Sequence, residues 1–376
     1  MNSGKKMERL VFFGKGGIGK STASTNISAC MAMKRDLRVF HVGCDPKHDS
    51  TVALMDGEMI PAVVDREYPQ VITPEDVISV SKTGVHCAEA GGPHAGVGCA
   101  GRGISRTMEV FNKANLLDGN RYDVTVFDIL GDVVCGGFAA PLRKDIGEKV
   151  IIIASEEVMA LYAANNIAKA VVNYASNGIV LAGIIVNRRD NEADLTPVHR
   201  FAELIGTRII GEIPRHPIIR EAEYHRMTAV QFAPDSDIAE IYAKLADELI
   251  AIDPADCPLP TPLSDYEFYA YTRHKFEEPE GGIGPDPTLT QKKIDEERAS
   301  RKKAERMASS QTSDAKAKML EQKEVSRQKK EKYRQDLKAG ILAVRLGHIR
   351  AEDAVLRLKS AYPDHARSLR VVDLVT

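Results

Sequence analysis

No C-x-x-C pair occurs in the 376 residues, which excludes the ligand spacing of zinc ribbons and ferredoxins. Six cysteines are too few to staple a chain of this length. Reduced or metal-bound thiols, as in a cytoplasmic protein, are therefore expected. Long apolar runs are also missing. Runs such as Val150-Ile151-Ile152-Ile153-Ala154 are strand-sized and far short of the about 18 residues a membrane helix needs. Residues 1–6 contain no apolar signal-peptide core, so neither a secreted nor a membrane-spanning protein is expected. Excess positive charge is confined to the tail. Residues 292–336 hold fifteen Lys/Arg against nine Asp/Glu, and residues 337–376 hold seven against four. With −2 for the whole chain, the first 291 residues carry −11, which gives nucleic-acid binding by the body little electrostatic support.

What is present is an alternation of short β-rich runs and longer segments of helical spacing. Strands are expected over 9–13, 38–42, 124–127, 150–154, 179–186 and 208–213. Helices are expected over 21–33, 161–174 and 237–250. This pattern predicts an α/β fold of the P-loop NTPase kind, a mostly parallel sheet flanked by helices, over residues 1–252. Prolines 254, 258, 260 and 262 and the run 277–288 predict a Pro/Gly-rich linker over 253–290. Residues 291–336 read as a basic charged helix or a disordered arm, and 337–376 as a small helical hairpin, together an α-helical or partly disordered extension.

Gly14-Lys15-Gly16-Gly17-Ile18-Gly19-Lys20-Ser21 fits the G-x-x-x-x-G-K-[ST] phosphate loop, and it follows an apolar run and opens a helical one. Its glycines permit positive φ and turn backbone N–H groups toward phosphate oxygens. Lys20 is expected on the β- and γ-phosphates and Ser21 on Mg²⁺. Lys15 marks the deviant subclass in which that lysine reaches the partner's nucleotide across a dimer. Asp45-Pro-Lys47-His48-Asp49 ends a second strand, where either aspartate could orient the attacking water. Asp128-Ile-Leu-Gly131-Asp132 ends another, with Asp128 expected to reach Mg²⁺ through water and Gly131 to face a γ-phosphate.

Cys99 and Cys135 stand among glycines, in Gly96-Val-Gly-Cys99-Ala-Gly-Arg102-Gly and Val134-Cys135-Gly-Gly. Glycine allows N–H···S bonds of the kind that tune an iron–sulfur cluster. Two thiolates per chain would make a four-thiolate site only across a two-fold dimer, and a pair of free buried thiols is the alternative. Cys30, Cys44 and Cys87 read as core packing, and Cys257 as incidental. Cys135 follows Asp128 by seven residues, a short covalent path from nucleotide to redox centre.

Taken together, GKGGIGKST (14–22), VGCDPKHDS (42–50), GGPHAGVGCAGRGI (91–104), FDILGDVVCGGFAAPLR (127–143), MALYAANNIAKAV (159–171), IVNRRD (185–190) and IPRHPIIREAEYHRMTAV (213–230) resemble the nitrogenase iron protein family in order and spacing. The resemblance implies a homodimeric, ATP-hydrolysing electron carrier. One [4Fe-4S] cluster would be held by Cys99 and Cys135 of both chains. Lys15, Lys20, Ser21 and Thr22 match phosphate-contacting positions. Asp45, Lys47 and Asp49 match the first switch, and Asp128 and Asp132 the second. Asn187, Pro214 and Arg215 match positions near the base. Arg102 matches the arginine beside the cluster on the docking face, a site of ADP-ribosylation in some relatives. A larger heteromeric reductase would accept the electrons and a ferredoxin or flavodoxin would supply them, with no nucleic acid or membrane involved.

Three departures point away from nitrogenase itself: the long extension, His48, and the segment 59–78. They favour a nitrogenase-like system, methylthio-alkane reductase being the one preferred, with nitrogenase proper and tetrapyrrole reductases as alternatives. A positioning or targeting ATPase of the same P-loop class would leave both glycine-flanked cysteines without a role. A cluster-assembly scaffold would call for C-x-x-C ligands.

Overall fold

The structure is a computed structural model describing residues 7–92, 100–117, 121–129, 131, 140–142, 146–284, 286, 332–333, 335–344 and 349–362. The chain divides into two compact units, residues 1–308 and 309–376.

The first unit is built on an eight-stranded sheet. Its strands are β1 (Glu8–Phe13), β2 (Val39–Cys44), β3 (Ser79–Val80), β4 (His86–Glu89), β5 (Val124–Ile129), β6 (Lys149–Ala154), β7 (Val180–Asn187) and β8 (Ile209–Ile213), in the order β3-β4-β2-β5-β1-β6-β7-β8. Only β3 runs antiparallel, at the edge against β4. The helices are α1 (Lys20–Arg35), α2 (Ala100–Lys113), α3 (Val158–Tyr174), α4 (Thr196–Leu204), α5 (Pro217–Tyr224), α6 (Ala229–Phe232), α7 (Asp237–Ala251) and α8 (Asp265–Thr272). The α/β architecture expected from the alternation is the one observed.

Strand residues alternate between two cores because both sheet faces are covered. Val11 and Phe13 of β1 join Ile104, Met108, Leu161 and Phe201 from α2, α3 and α4. Leu10 and Phe12 join Ile27, Met31, Ile238, Tyr242 and Leu245 from α1 and α7. Strands β3 and β4 were not legible: one has two residues, and the other, His-Cys-Ala-Glu, lacks the β-branched run that marked the rest. Cys30, Cys44 and Cys87 are fully buried, as expected of packing groups.

Residues 253–284, expected as part of a linker, differ from that reading. Leu263, Phe268 and Phe276 are buried in the main core, and Ser264 and Glu267 form a capping box that starts α8. Asn165 of α3 pins the approach, donating to the Leu263 carbonyl (2.7 Å) and accepting from its N–H (2.8 Å). The prolines concealed an aromatic segment whose burial outweighs them. Residues 291–331 lie outside the described residues.

In the second unit, residues 335–344 are helical and α9 spans Ala351–Ala361. Tyr333, Leu337, Ile341, Val344, Ile349 and Tyr362 pack around Ala354, Val355 and Leu358. No described helix is long and apolar enough to cross a membrane.

The face of β2 toward α1 holds a histidine. His41 is fully buried and shares a 2.9 Å hydrogen bond with Ser28 of α1. Burial lowers its pKa to about 4; the Asp128 carboxylate opposes the shift and the Lys20 ammonium adds to it. The unfolded chain takes up this proton from pH 6.5 downward while the folded chain resists until about 4. Stability therefore falls as pH drops through that window. Between pH 7 and 4.5 His41 is expected to cost about 2–3 kcal/mol. Urea melts of His41→Val should lack that increment of acid destabilisation; the same pH slope as wild type would contradict it.

Candidate functional site

The site lies at the carboxyl ends of the parallel strands, where β1, β2 and β5 meet. The loop 14–19 leaves β1 and turns into α1. Gly14 runs against β6 so closely that a Cβ there would stand 2.4 Å from the Ile153 carbonyl oxygen. Gly19 has φ 88°, and a Cβ would meet Asn187 Nδ2 at 2.3 Å. Only glycine fits either position.

No side chain caps α1, whereas Thr228, Ser236 and Ser264 cap α6, α7 and α8. The first N–H groups of α1 thus remain available to an anion, and the helix dipole favours one. Inside α1, polar side chains that would weaken a solvated helix are tied to its own turns. Thr25 Oγ1 donates to the Ser21 carbonyl (2.7 Å) and Asn26 Nδ2 to that of Thr22 (2.8 Å).

Lys20 Nζ forms a buried ion pair with Asp128 Oδ1 and lies 3.4 Å from Ser21 Oγ. Asp128 is the penultimate residue of β5, its side chain 1% exposed, and Ser50 Oγ donates to its other oxygen. Burial pushes the carboxyl up, but the Lys20 ammonium and the other groups around it outweigh burial and hold it below its ordinary value. Gly131, with φ 47°, presents its α-carbon to the loop: a Cβ there would be 3.9 Å from the Gly16 nitrogen.

From β2 the chain turns at 45–48, where Asp45 Oδ1 accepts the Lys47 N–H at 2.9 Å and His48 takes a left-handed φ of 46°. Burial raises the Asp45 carboxyl, the Lys47 N–H opposes this and the Asp49 charge adds to it. Lys47 and Asp49 are exposed, while Lys15 and Thr22 are partly exposed.

The other wall comes from β7. Asn187 Nδ2 donates to the Ile18 carbonyl at 2.7 Å, and the Arg189 guanidinium donates to that of Gly17. Glu156 in turn accepts the backbone N–H groups of Arg189 (2.9 Å) and Asp190 (2.8 Å). Pro214 is partly buried and Arg215 exposed; the Arg215 backbone is held by both amide atoms of Asn191, at 2.8 and 2.9 Å.

The structure thus brings Lys20, Ser21, Asp128, Gly131 and Asn187 around one loop, with Asp45 at the adjoining strand end. Cys99, Cys135 and Asp132 lie outside the described residues, as does the side chain of Arg102, whose backbone is in the first turn of α2. Ser50, Thr51, Glu89, Glu156 and Arg189 were missed. Ser50 and Arg189 sit within quoted motif segments, a signal that could have found them; Glu89 had none.

Chemically, the arrangement is a phosphate cradle: N–H groups and a helix terminus for an anion, one cation able to leave its carboxylate for a phosphate, and a hydroxyl and carboxylates suited to Mg²⁺. The donor set and the open space beside Gly16 and Gly17, where a Cβ would meet nothing within 4 Å, fit MgATP.

The fold is that of P-loop ATPases. The septum site-determining protein MinD of Pyrococcus horikoshii, complexed with Mg-ADP, superposes with TM-score 0.50 at 23% identity, over 65% of this chain and 97% of that one. The MinC:MinD complex of Aquifex aeolicus gives 0.51 at 17%, over 69% and 99%. In sequence, the chain is 43% identical to a nitrogenase iron protein of Methanospirillum hungatei over 267 residues, 69% of this chain and 94% of that protein. It is 40% identical to nitrogenase iron protein 3 of Clostridium pasteurianum over 263 residues, 69% and 95% respectively. Residues 8–277 match the family described as 4Fe-4S iron sulfur cluster binding proteins, NifH/frxC. The chain belongs to the NifH/frxC family of 4Fe-4S iron–sulfur cluster binding proteins.

Proposed function

We propose that this protein is the ATP-driven reductase component of a nitrogenase-like system. As a homodimer it passes electrons singly from a [4Fe-4S] cluster to a larger catalytic protein, with MgATP hydrolysis driving each cycle. The observation that carries this reading is the chain of contacts Lys20–Asp128–Ser50. It joins the phosphate loop, the strand that leads toward Cys135, and the segment after β2. A phosphate drawing Lys20 away alters the charge balance at Asp128 and thereby acts on Ser50, which shares that carboxylate.

In this reading loop 14–19 and the start of α1 bind the phosphates, Lys20 and Ser21 face the β/γ-phosphates and Mg²⁺, and Lys15 reaches the partner's nucleotide. Asp45 or Asp49 orients water, and Lys47 and Asp132 belong to the switches. Asn187, Pro214 and Arg215 frame the base. Cys99 and Cys135 of each protomer hold the cluster, which supplies one-electron storage, and Arg102 faces the acceptor. A ferredoxin or flavodoxin reloads it. Among acceptors we favour a methylthio-alkane reductase, because the chain runs about 100 residues past the family match at 277 and carries His48. Nitrogenase itself and a tetrapyrrole reductase are the competing acceptors.

Lys20→Gln should lower MgATP hydrolysis at least about a hundredfold, the scale of losing one preorganised phosphate contact. It also leaves Asp128 charged and buried, which should cost about 3 kcal/mol of stability. Lys20→Gln/Asp128→Asn should recover most of that stability but none of the turnover. Wild-type turnover in either variant would place ATP elsewhere. Cys135→Ser should erase the iron–sulfur absorption of the anaerobically purified dimer while its far-ultraviolet circular dichroism persists; an unaltered cluster band would remove Cys135 from the ligand set. Trapping with MgADP and aluminium fluoride, followed by mass spectrometry of what co-purifies, is expected to identify a heteromeric metalloprotein of the methylthio-alkane reductase kind. Recovery of nitrogenase or a tetrapyrrole reductase would reassign the acceptor.

A further inference from the structure

We propose that Glu89, at the end of β4, is a positioning residue of the nucleotide site that anchors Thr51 and thereby fixes one end of the segment 45–50 facing Lys20 and Asp128. The inference rests on the reading of loop 14–21 as the ATP site.

The placement follows from sheet register. Gly43 of β2 lies opposite Glu89 of β4 on one side and opposite Asp128 of β5 on the other. The three positions form one row across the sheet, with the glycine in the middle. The Glu89 side chain lies over Gly43: a Cβ there would stand 2.0 Å from Glu89 Oε2. A side chain at 43 would expel the carboxyl from this row. Both flanking carboxyls are buried, Glu89 completely.

Two consecutive residues hang from these carboxyls. Ser50 Oγ donates to Asp128. Thr51 donates to Glu89 Oε1 twice, from its N–H at 2.7 Å and its hydroxyl at 2.8 Å. The two attachments differ in kind. The Ser50 contact shares Asp128 with Lys20, so it answers to whatever draws Lys20 away. The Thr51 contact shares nothing with the phosphate loop. Thr51 also begins the turns that follow, its carbonyl accepting from Leu54 (2.9 Å) and Met55 (3.0 Å). Glu89 thus holds one end of the segment that carries Asp45, Lys47 and Asp49 independently of Lys20, while the tie beside it, Ser50, depends on Asp128.

The second oxygen explains why an acid serves here. Oε2 is buried and has no hydrogen-bond partner among the described residues. A carboxylate so placed would be costly; a carboxylic acid is far less so. The groups facing it agree. Asp128 comes from β5, Asp49 from the segment itself, and the Cys44 and Cys87 thiols from β2 and β4. Lys20 is engaged with Asp128. Burial, opposed by the two Thr51 bonds and reinforced by the charges of Asp128 and Asp49, raises the carboxyl to about 8. Glu89 is therefore neutral at pH 7 and ionises as pH rises through about 8.

The test uses the full-length, cluster-loaded homodimer, with MgATP hydrolysis followed from pH 6 to 9. Glu89→Ala and Thr51→Val should lower kcat about tenfold with KM for MgATP within twofold, because the phosphate cradle is untouched. Glu89→Gln should rescue most of the turnover lost in Glu89→Ala, since its carbonyl oxygen can accept both Thr51 bonds. Ionised Glu89 puts a second, unpaired charge in the row with Asp128, so wild-type kcat is expected to fall above about pH 8 and Glu89→Gln should lack that fall, which a merely structural role would leave in place. Thr51→Val and the Glu89→Gln pH profile decide the matter if Glu89→Ala does not fold. Wild-type kcat in Thr51→Val, or an unchanged alkaline limb in Glu89→Gln, overturns the proposal. Inactive Lys20→Gln alongside either result leaves the ATP site standing; active Lys20→Gln instead refutes the ATP-site reading beneath it.

Discussion

The Lys20–Asp128 ion pair is the constraint on which the rest of the site depends. Both groups are nearly excluded from water, with side chains 10% and 1% exposed. A buried pair of this kind is held only when its remaining lone pairs and protons are satisfied, because desolvation consumes most of the Coulombic gain. Here Ser50 supplies the second bond to Asp128, so a residue from the segment after β2 is drawn into a pair between α1 and β5. Three parts of the chain far apart in sequence are fixed by one carboxylate. The same economy makes the arrangement reversible. A pair that contributes little net stability is readily exchanged when a phosphate offers the lysine a better partner.

The central strands are shaped to make that carboxylate possible. Asp128 sits on β5, between β1 and β2, where apolar residues would ordinarily close the sheet face. Its neighbour on β2 is Gly43, with Glu89 beyond. Two registers back, His41 replaces an aliphatic contact with a neutral imidazole bonded to Ser28. α1 answers with small buried residues, Ala23, Ser24 and Ser28 among them, and its N-terminus follows the loop that leaves β1. On the far side, Asn187 and Arg189 hold the carbonyls of Ile18 and Gly17. The loop is thus clamped through two of its carbonyls; the Ile18 N–H closes the turn on the Lys15 carbonyl at 3.1 Å, and the first N–H groups of α1 face the anion site.

The architecture and half of the site could be read from the chain because they rest on local rules. β6 announced itself by five successive apolar residues, and Gly14 to Ser21 by spacing that only a phosphate loop needs. Strands β3 and β4 could not be read, since pairing with β2 rather than local propensity makes His86–Glu89 a strand. Phe268 and Phe276 were hidden by flanking prolines, although burial in the main core decides their fate. Glu89 is the clearest case. A lone glutamate after a cysteine and an alanine carries no motif; only register reveals that it shares a row with Gly43 and Asp128. Lys20 and Asp128 were each legible, but their direct pairing across 108 residues was not.

That pairing bears on how a nucleotide could act on a cysteine at a distance. β5 is bonded on both sides, and Ile129 is fully buried, so the strand itself has little freedom to move. The first residue beyond it that departs from an ordinary backbone among those described is Gly131, with positive φ, set against Gly16 of the phosphate loop. Gly131 lies between the bonded strand and Cys135. Cys135 stands four positions after Gly131, a reach of at most about 14 Å when extended. The path from Asp128 to Cys135 is thus seven residues of chain, with Gly131 between them.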